Sequence, residues 1–422
     1  MLIEFSVKNY RSFWKTQKLS MAAGPTKELA NENKFATPIN GLPELLRSAV
    51  VYGANGSGKS NLIKAISFMR EFVLNSSKES QEKEKIKRKP FLFNSDGPSN
   101  DSEFEIVFVQ DSIRYQYGFS VTDTRVAHEW LFAYPGNKPQ RWFERSFNPE
   151  TKKEDWYFGA KFAGSKKTWQ TATRSNALFL STAVQLNSEQ LQPVYHWFLK
   201  LGVIRHDDTI ANIYTAENCA DEDQYRNIKK FLNDAGINVD EISIKEKKLN
   251  IDHLPSDMPE PLKRIILKDI EGETIKEVFF QYKLKDSNDY VSLPLEAESD
   301  GTQKLFAYAA PWLDVLNNGR ILVIDELNNS FHSHLVRFLL KLINNSKTNK
   351  ANGQLIFSTH DTSILDTKLL RRDQIWLIEK DQDKASQLYP LTDFHPRKNE
   401  VLEKGYLQGR YGALPYIGEL RF

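Results

Sequence analysis

Cysteine is nearly absent. A single Cys219 excludes an intramolecular disulfide and any cysteine-based metal site. Long apolar runs are missing as well: none approaches the roughly 18 residues a membrane-spanning helix needs, and the mean hydropathy is −0.53. The opening stretch, MLIEFSVKNYRSF, lacks the basic-then-apolar order of a secretory leader. Together these absences lead to the expectation of a cytoplasmic protein with no membrane partner. There is no excess of either charge: 57 basic residues against 55 acidic leave +2, too little for global attraction to nucleic acid. A local basic patch stays open, and with it DNA or RNA as a partner. Internal repeats and sustained heptads are absent, which excludes a solenoid and a long coiled coil between the two halves.

What is present is material for a core. The 422 residues give room for two or three folding units at about 100–200 residues each, and 8 Trp, 16 Tyr and 26 Phe exclude a disordered chain. Residues 1–13 alternate as a strand does, with Leu2, Ile3, Phe5 and Val7. Residues 48–52 form a short apolar run, expected as a buried strand, and apolar spacing predicts a helix over 60–74. Residues 75–90 are strongly polar and read as an exposed connector. EFEIVFV, YQYGFSV and EWLFAY predict an antiparallel β region within 103–170. A helix is expected over 176–201, ending near Gly202, and another over 222–236. Strands and polar turns follow over 240–293. The last third alternates helix and strand, as a mostly parallel sheet does: helix 299–316, strand 321–324, helix 332–345, strands 354–358 and 374–378.

Gly53-Ala-Asn55-Gly56-Ser57-Gly58-Lys59-Ser60 fits G-x-x-x-x-G-K-[ST] between an expected strand and an expected helix. Glycines allow successive backbone N–H groups to turn toward phosphate oxygens, and the helix start adds partial positive charge. Lys59 would reach the β- and γ-phosphates, and the Ser60 hydroxyl would ligate Mg²⁺. Arg320-Ile-Leu-Val-Ile-Asp325-Glu326 is an aliphatic strand ending in two carboxylates. Ligands of open α/β sheets gather at such strand ends, so Asp325 is expected to hold Mg²⁺ and Glu326 to activate a water. Ser299 is a candidate helix cap ahead of Asp300-Gly301-Thr302-Gln303, and His360 closes another apolar strand. His332 and His334 resemble a metal pair only weakly, with no third ligand in view.

These four elements in this order resemble an ABC-type ATPase of the SMC/RecF/OLD-like superfamily. The likeness implies an α/β P-loop NTPase: a two-lobed head with a mostly parallel sheet, an antiparallel β subdomain and a helical and β insert. The expected boundaries are 1–90 for the N-terminal lobe, 91–174 for the β subdomain, 175–290 for the insert and 291–422 for the C-terminal lobe. It further implies that 53–60 with Asn61 hold ATP, that Ser299, Gly301 and Thr302 form the signature segment, that His360 is the switch histidine, and that Arg11 and Ser12 lie near the nucleotide. Lys59, Glu326 and His360 are the expected catalytic set, with ATP and Mg²⁺ as cofactors. In such proteins the signature helix of one subunit caps the γ-phosphate on the other, so a dimer or a larger even-numbered oligomer is expected. The Ser-Asp-Gly-Thr segment, Arg372-Asp-Gln-Ile-Trp376 and the Gly405–Pro415 tail are similar to compact prokaryotic defence ATPases of the RloA/AbiLii type.

Two departures stand out. Asn328 occupies a position where the superfamily often has Asp, and Ser333 one where Pro is common between the two histidines. The glutamine that senses Mg²⁺ has Gln110, Asn94 and Gln185 as candidates. The function expected is ATP hydrolysis used as a switch on a separate effector, a nuclease or toxin, in antiviral defence. The alternative is a DNA-binding repair ATPase like RecF, with Lys85–Lys89 or Lys245–Lys248 as the contact.

Overall fold

The computed structural model describes residues 1–78, 81, 84–136, 138–205, 211–248, 274–285, 287–397 and 400–414. Contacts divide the chain into two compact units, 1–207 with 315–422, and 208–314.

The first unit is built on two sheets. Five short runs form a parallel array: Leu201–Ile204 (β11), Ile321–Ile324 (β15), Gln354–Ser358 (β16), Ser48–Tyr52 (β5) and Ile375–Lys380 (β17), in that spatial order. Ser386–Pro390 (β18) adds an antiparallel edge beside β17. β5, β15 and β16 are buried along their whole length. That explains why they read as unbroken aliphatic stretches rather than alternating ones. Helix α1 (Lys59–Asn75) follows β5, and helix α8 (Ser333–Asn344) lies between β15 and β16.

The second sheet is antiparallel and seven-stranded. Its order is Lys153–Phe158 (β10), Gln140–Asn148 (β9), Val126–Tyr134 (β8), Ile113–Val121 (β7), Ser102–Gln110 (β6), Leu2–Lys8 (β1) and Gln17–Ser20 (β2). Period-two burial, clear at Phe104, Ile106 and Phe108, sets its inward face. One hydrophobic cluster runs from Phe5, Phe104 and Phe119 of this sheet, through Leu62, Ile66 and Met69 of α1, to Val51, Val323 and Ile356 of the parallel sheet. The expected α/β class, with a mostly parallel sheet and an antiparallel subdomain, is what the chain forms. β1 and β2, from the expected 1–90 lobe, share a sheet with strands of the expected 91–174 subdomain. Lys34–Phe35 (β3) and Leu45–Leu46 (β4) make a separate small pair.

The short helix α2 (Lys166–Ala172) follows β10. The helix expected over 176–201 is two helices. Phe179–Gln185 (α3) ends before Asn187, whose φ of 63° breaks the regular backbone, and Gln192–Lys200 (α4) restarts with Pro193 in its first turn. Gly202 is not a helix stop. It sits inside β11, opposite Leu322 of β15. The 75–90 segment is also more than a solvated connector. Ile86 and Arg88 are buried, and Arg88 pairs with Asp123 at 2.6 Å and donates to Pro98 O at 2.7 Å.

In the second unit, Glu241–Lys248 (β12), Thr274–Lys283 (β13) and Tyr290–Pro294 (β14) form an antiparallel sheet. Part of the strand region expected over 240–293 lies outside the described residues. Helix α5 (Ala211–Asn218) precedes α6 (Glu222–Asp234). The latter begins at Asp221, whose Oδ1 accepts the N–H groups of Asp223 and Gln224 at 3.1 and 2.9 Å. The helix Asp300–Asn318 (α7) starts in this unit, and its Phe306 ring meets Phe280 edge-on at 5.8 Å.

Candidate nucleotide-binding site

The phosphate loop joins β5 to α1 at the carboxyl edge of the parallel sheet. Gly53 is required by packing: a Cβ there would stand 2.2 Å from Ile378 O of β17. Gly58, with φ of 122°, is required twice over, since a Cβ would also meet Ser386 Oγ at 2.3 Å. Helix α1 begins at Gly58 with no side-chain cap and no acidic residue in its first turn. Its leading amides are therefore left for an anion.

A cavity of ≈ 320 Å³ opens at this helix start, lined by Asn55, Gly56, Gly58, Lys59, Ser60, Asn61, Glu326 and His360. Lys59 is buried, and its Nζ donates to Gly53 O at 2.8 Å and Ala54 O at 3.1 Å. Burial lowers its pKa from 10.5 to about 8, against the opposing pull of Glu326 and Asp325. His360 Nε2 is 3.7 Å from Glu326 Oε1. Burial, then the Lys59 charge, holds the imidazole below its ordinary value despite the two carboxylates.

The acidic pair is shaped by a residue that sequence reasoning did not single out. Ser358, at the end of β16, donates from Oγ to Asp325 Oδ1 at 2.6 Å and accepts the Glu326 N–H at 2.8 Å. Glu326 adopts φ of 54°, a sharp turn out of β15 that projects its carboxylate into the cavity. Asn328 joins this turn to the next strand end: its Oδ1 accepts the Thr359 hydroxyl at 2.8 Å and the His360 N–H at 3.3 Å. An amide oxygen serves there without adding a third negative charge beside Asp325 and Glu326.

Ser12, Gly53, Ser57 and Asp325 support the cavity from outside its lining. Ser12 Oγ accepts from Asn61 Nδ2 at 2.8 Å and is hydrogen-bonded to Ser386 Oγ at 2.8 Å. Ser386 Oγ also donates to Ser57 O at 2.5 Å. Nothing in the local sequence marks Ser386, because its role depends on β18 passing the loop. Arg11 is elsewhere. Its N–H donates to Lys89 O at 2.6 Å, and its side chain lines a different cavity. Asn94, Gln110 and Gln185 do not line the nucleotide cavity. Ser299, Gly301 and Thr302 belong to the second compact unit, where Ser299 Oγ accepts the Thr302 N–H at 3.2 Å and caps α7. Ser60 and Asp325 offer the hydroxyl and carboxylate oxygens that a hard divalent cation takes. Among the described residues no group of three or more His, Cys, Asp or Glu side chains is placed to hold a metal by itself. No described helix is long and apolar enough to cross a membrane.

Among solved structures, the chain is similar to the SMC head domain from Thermotoga maritima, at 13% identity and a TM-score of 0.40, covering 92% of this chain and 98% of that one. It is also similar to the recombination mediator RecF with ATP, at 14% identity and a TM-score of 0.35, covering 92% and 99%. None of the curated proteins matches it. Residues 48–366 match the family described as "AAA domain, putative AbiEii toxin, Type IV TA system". That span exceeds half of the 422 residues and runs from the phosphate-loop strand past His360; the chain belongs to this AAA-domain family.

Proposed function

We propose that the chain is an ATPase that acts as a switch, closing as a pair of heads around ATP and reopening on hydrolysis. The observation that carries this reading is the gathering of Lys59, Glu326, His360 and an uncapped helix start around one cavity. The α1 amides and the Lys59 ammonium hold phosphate oxygens by position and charge. Glu326 orients the attacking water and accepts its proton. His360 donates a hydrogen bond to the γ-phosphate. Ser60 and Asp325 would hold Mg²⁺, which would supply positive charge against the phosphates. The exposed Ser299 cap, with Gly301 and Thr302, supplies the γ-phosphate contact to a second copy, which makes the active form a dimer or a larger even-numbered oligomer. The output passes to a separate effector, a nuclease or toxin, in prokaryotic defence.

The test is mass and turnover of the purified chain with ATP and Mg²⁺, beside Glu326→Gln. Wild type should hydrolyse ATP. Glu326→Gln should keep ATP, lose about 10²–10⁴-fold in turnover and accumulate as the closed pair. Unchanged turnover in Glu326→Gln would mean that Glu326 is not the base. ATP binding without any change in mass would remove the paired-head switch.

A further inference from the structure

The segment that carries His360 is held from two sides. On one side, Asn328 of the acidic turn accepts the Thr359 hydroxyl and the His360 N–H. On the other, two residues outside the cavity lining hold the backbone that follows. Tyr52, the last residue of β5, donates from its hydroxyl to Asp361 O at 2.8 Å. Burial pushes the pKa of this hydroxyl well above its ordinary value, so it keeps the proton that it donates. Thr362 opens a 3₁₀ turn, Thr362–Ile364, and its Oγ1 donates to Glu403 Oε1 at 2.9 Å. Glu403 lies on a short helix late in the chain, Leu402–Leu407 (α9).

Helix α9 is fixed against the parallel sheet. Leu402 and Tyr406 are buried, and the Tyr406 ring lies 5.7 Å from the ring of Tyr52. It therefore backs the side chain whose hydroxyl holds Asp361. The chain then folds back on the helix. The Tyr406 hydroxyl donates to Ala413 O at 3.1 Å, and the Ala413 N–H donates to Glu379 Oε2 of β17 at 2.8 Å. The Tyr411 hydroxyl donates to Glu400 Oε1 at 2.6 Å, ahead of the helix. Gly405 is required by this return, because a Cβ there would stand 2.5 Å from the Tyr411 hydroxyl oxygen.

A group that stabilises a reacting phosphoryl acts through where it is held, and a misplacement of about 1 Å can cost 10²-fold in rate. We propose that Tyr52 and Glu403 are positioning residues for His360, so that the docked helix α9 sets the rate of ATP hydrolysis and not the affinity for ATP. This rests on the reading of His360 as the γ-phosphate donor. In that reading the α1 amides and Lys59 hold the phosphates, so loosening His360 slows turnover without releasing nucleotide.

Three readouts on the purified full chain decide it: turnover at saturating ATP, ATP affinity, and the NMR signal of the His360 ring, assigned by its loss in His360→Gln. Tyr52→Phe and Glu403→Ala should each slow turnover about 5-fold, the scale of one hydrogen bond. Both should leave ATP affinity unchanged and move the His360 ring signal. Glu403→Gln keeps an acceptor for Thr362 and should restore both turnover and signal. Thr362→Val should reproduce Glu403→Ala, and the double variant should be no slower than either alone. In a His360→Gln background, Glu403→Ala should cost nothing further. Thermal melting verifies that each variant is folded. An unmoved ring signal in Tyr52→Phe and Glu403→Ala, a loss of ATP affinity in place of turnover, or a loss that Glu403→Gln does not restore overturns the proposal. Wild-type turnover in His360→Gln would instead overturn the γ-phosphate role of His360, and the ring signal would still show whether Tyr52 and Glu403 hold it in place.

Discussion

Two helices start inside the same unit, and they treat their leading amides in opposite ways. At α3 the protein supplies its own anion. Glu129 of β8 accepts the N–H groups of Phe179 and Leu180 at 2.7 and 3.0 Å and the Tyr117 hydroxyl at 3.0 Å, and it lies 3.1 Å from Arg145 Nε. Glu129 is fully buried and Arg145 nearly so. At α1 no carboxylate fills the corresponding place, and the Lys59 ammonium, the Glu326 carboxylate and the His360 ring line an open cavity. Both sites bury opposite charges beside a helix start. The sealed one is structure, because the partners of the Glu129 carboxylate are all in the chain. The open one is a binding site, because its anion must come from outside.

Breaking the sealed site should cost the most. Glu129→Gln leaves the Arg145 guanidinium buried without its counter-charge, which by the behaviour of broken buried pairs costs about 3–5 kcal/mol. Chemical denaturation should show that loss, while the protein that remains folded binds nucleotide as wild type does. A variant of near wild-type stability would mean that the two helix starts are not distinguished by what fills them.

Breaking the open site should leave stability nearly intact and remove function. Lys59→Ala should lower turnover by about 10²–10³-fold, the scale for losing one group that stabilises transition-state charge. Thermal unfolding of the nucleotide-free chain should be unchanged or slightly raised, since a buried cation has been deleted. The open site also carries a pH signature at Lys59. With the Lys59 pKa lowered from 10.5 to about 8, the folded chain gives up this proton before the unfolded chain does. Between about pH 8 and 10.5 the unfolded state binds more protons at this residue, so the Lys59 contribution to stability rises with pH there. Nucleotide affinity runs the other way, falling as pH rises through about 8, because the phosphates need the ammonium. Titrating the affinity of a fluorescent ATP analogue should show that fall, and Lys59→Arg, charged throughout, should flatten it.

The open site was far more legible in the sequence than the sealed one, for a physical reason. Residues 53–60 act through their own consecutive backbone, so their spacing is the site. Asp325, Glu326 and His360 are polar residues at the ends of apolar runs, and a parallel sheet brings such ends to one edge. Glu129 looked like any charged residue in an alternating strand, because its partners Phe179, Leu180 and Arg145 are remote in sequence. Ser358 carried a weak signal as a polar residue closing an aliphatic strand. The break at Asn187 and the burial of Ile86 and Arg88 depend on tertiary partners that local periodicity does not contain. Arg11, expected near the nucleotide by resemblance, lines a cavity other than the one around Lys59, and its backbone N–H donates to Lys89 O.

Ser386 is where the comparison is finest, because it supports the open site without touching its anion. Its hydroxyl donates to Ser57 O within the phosphate loop and is hydrogen-bonded to Ser12, whose oxygen also receives Asn61. The loop is thus tied at one point to β18 and to the turn after β1. Ser386→Ala keeps the Cβ that fills the space behind Gly58 and removes only the hydroxyl, leaving Ser57 O without that donor. One such hydrogen bond contributes about 1 kcal/mol, and its loss lets the loop sample arrangements that hold phosphate less well. The expected result is nucleotide affinity weakened by roughly 5-fold, with the turnover of bound ATP unchanged, since no reacting atom has lost a partner. An equal fall in turnover at saturating ATP would instead place Ser386 in the geometry of the transition state, and the phosphate loop would then be held as rigidly as the sealed helix start.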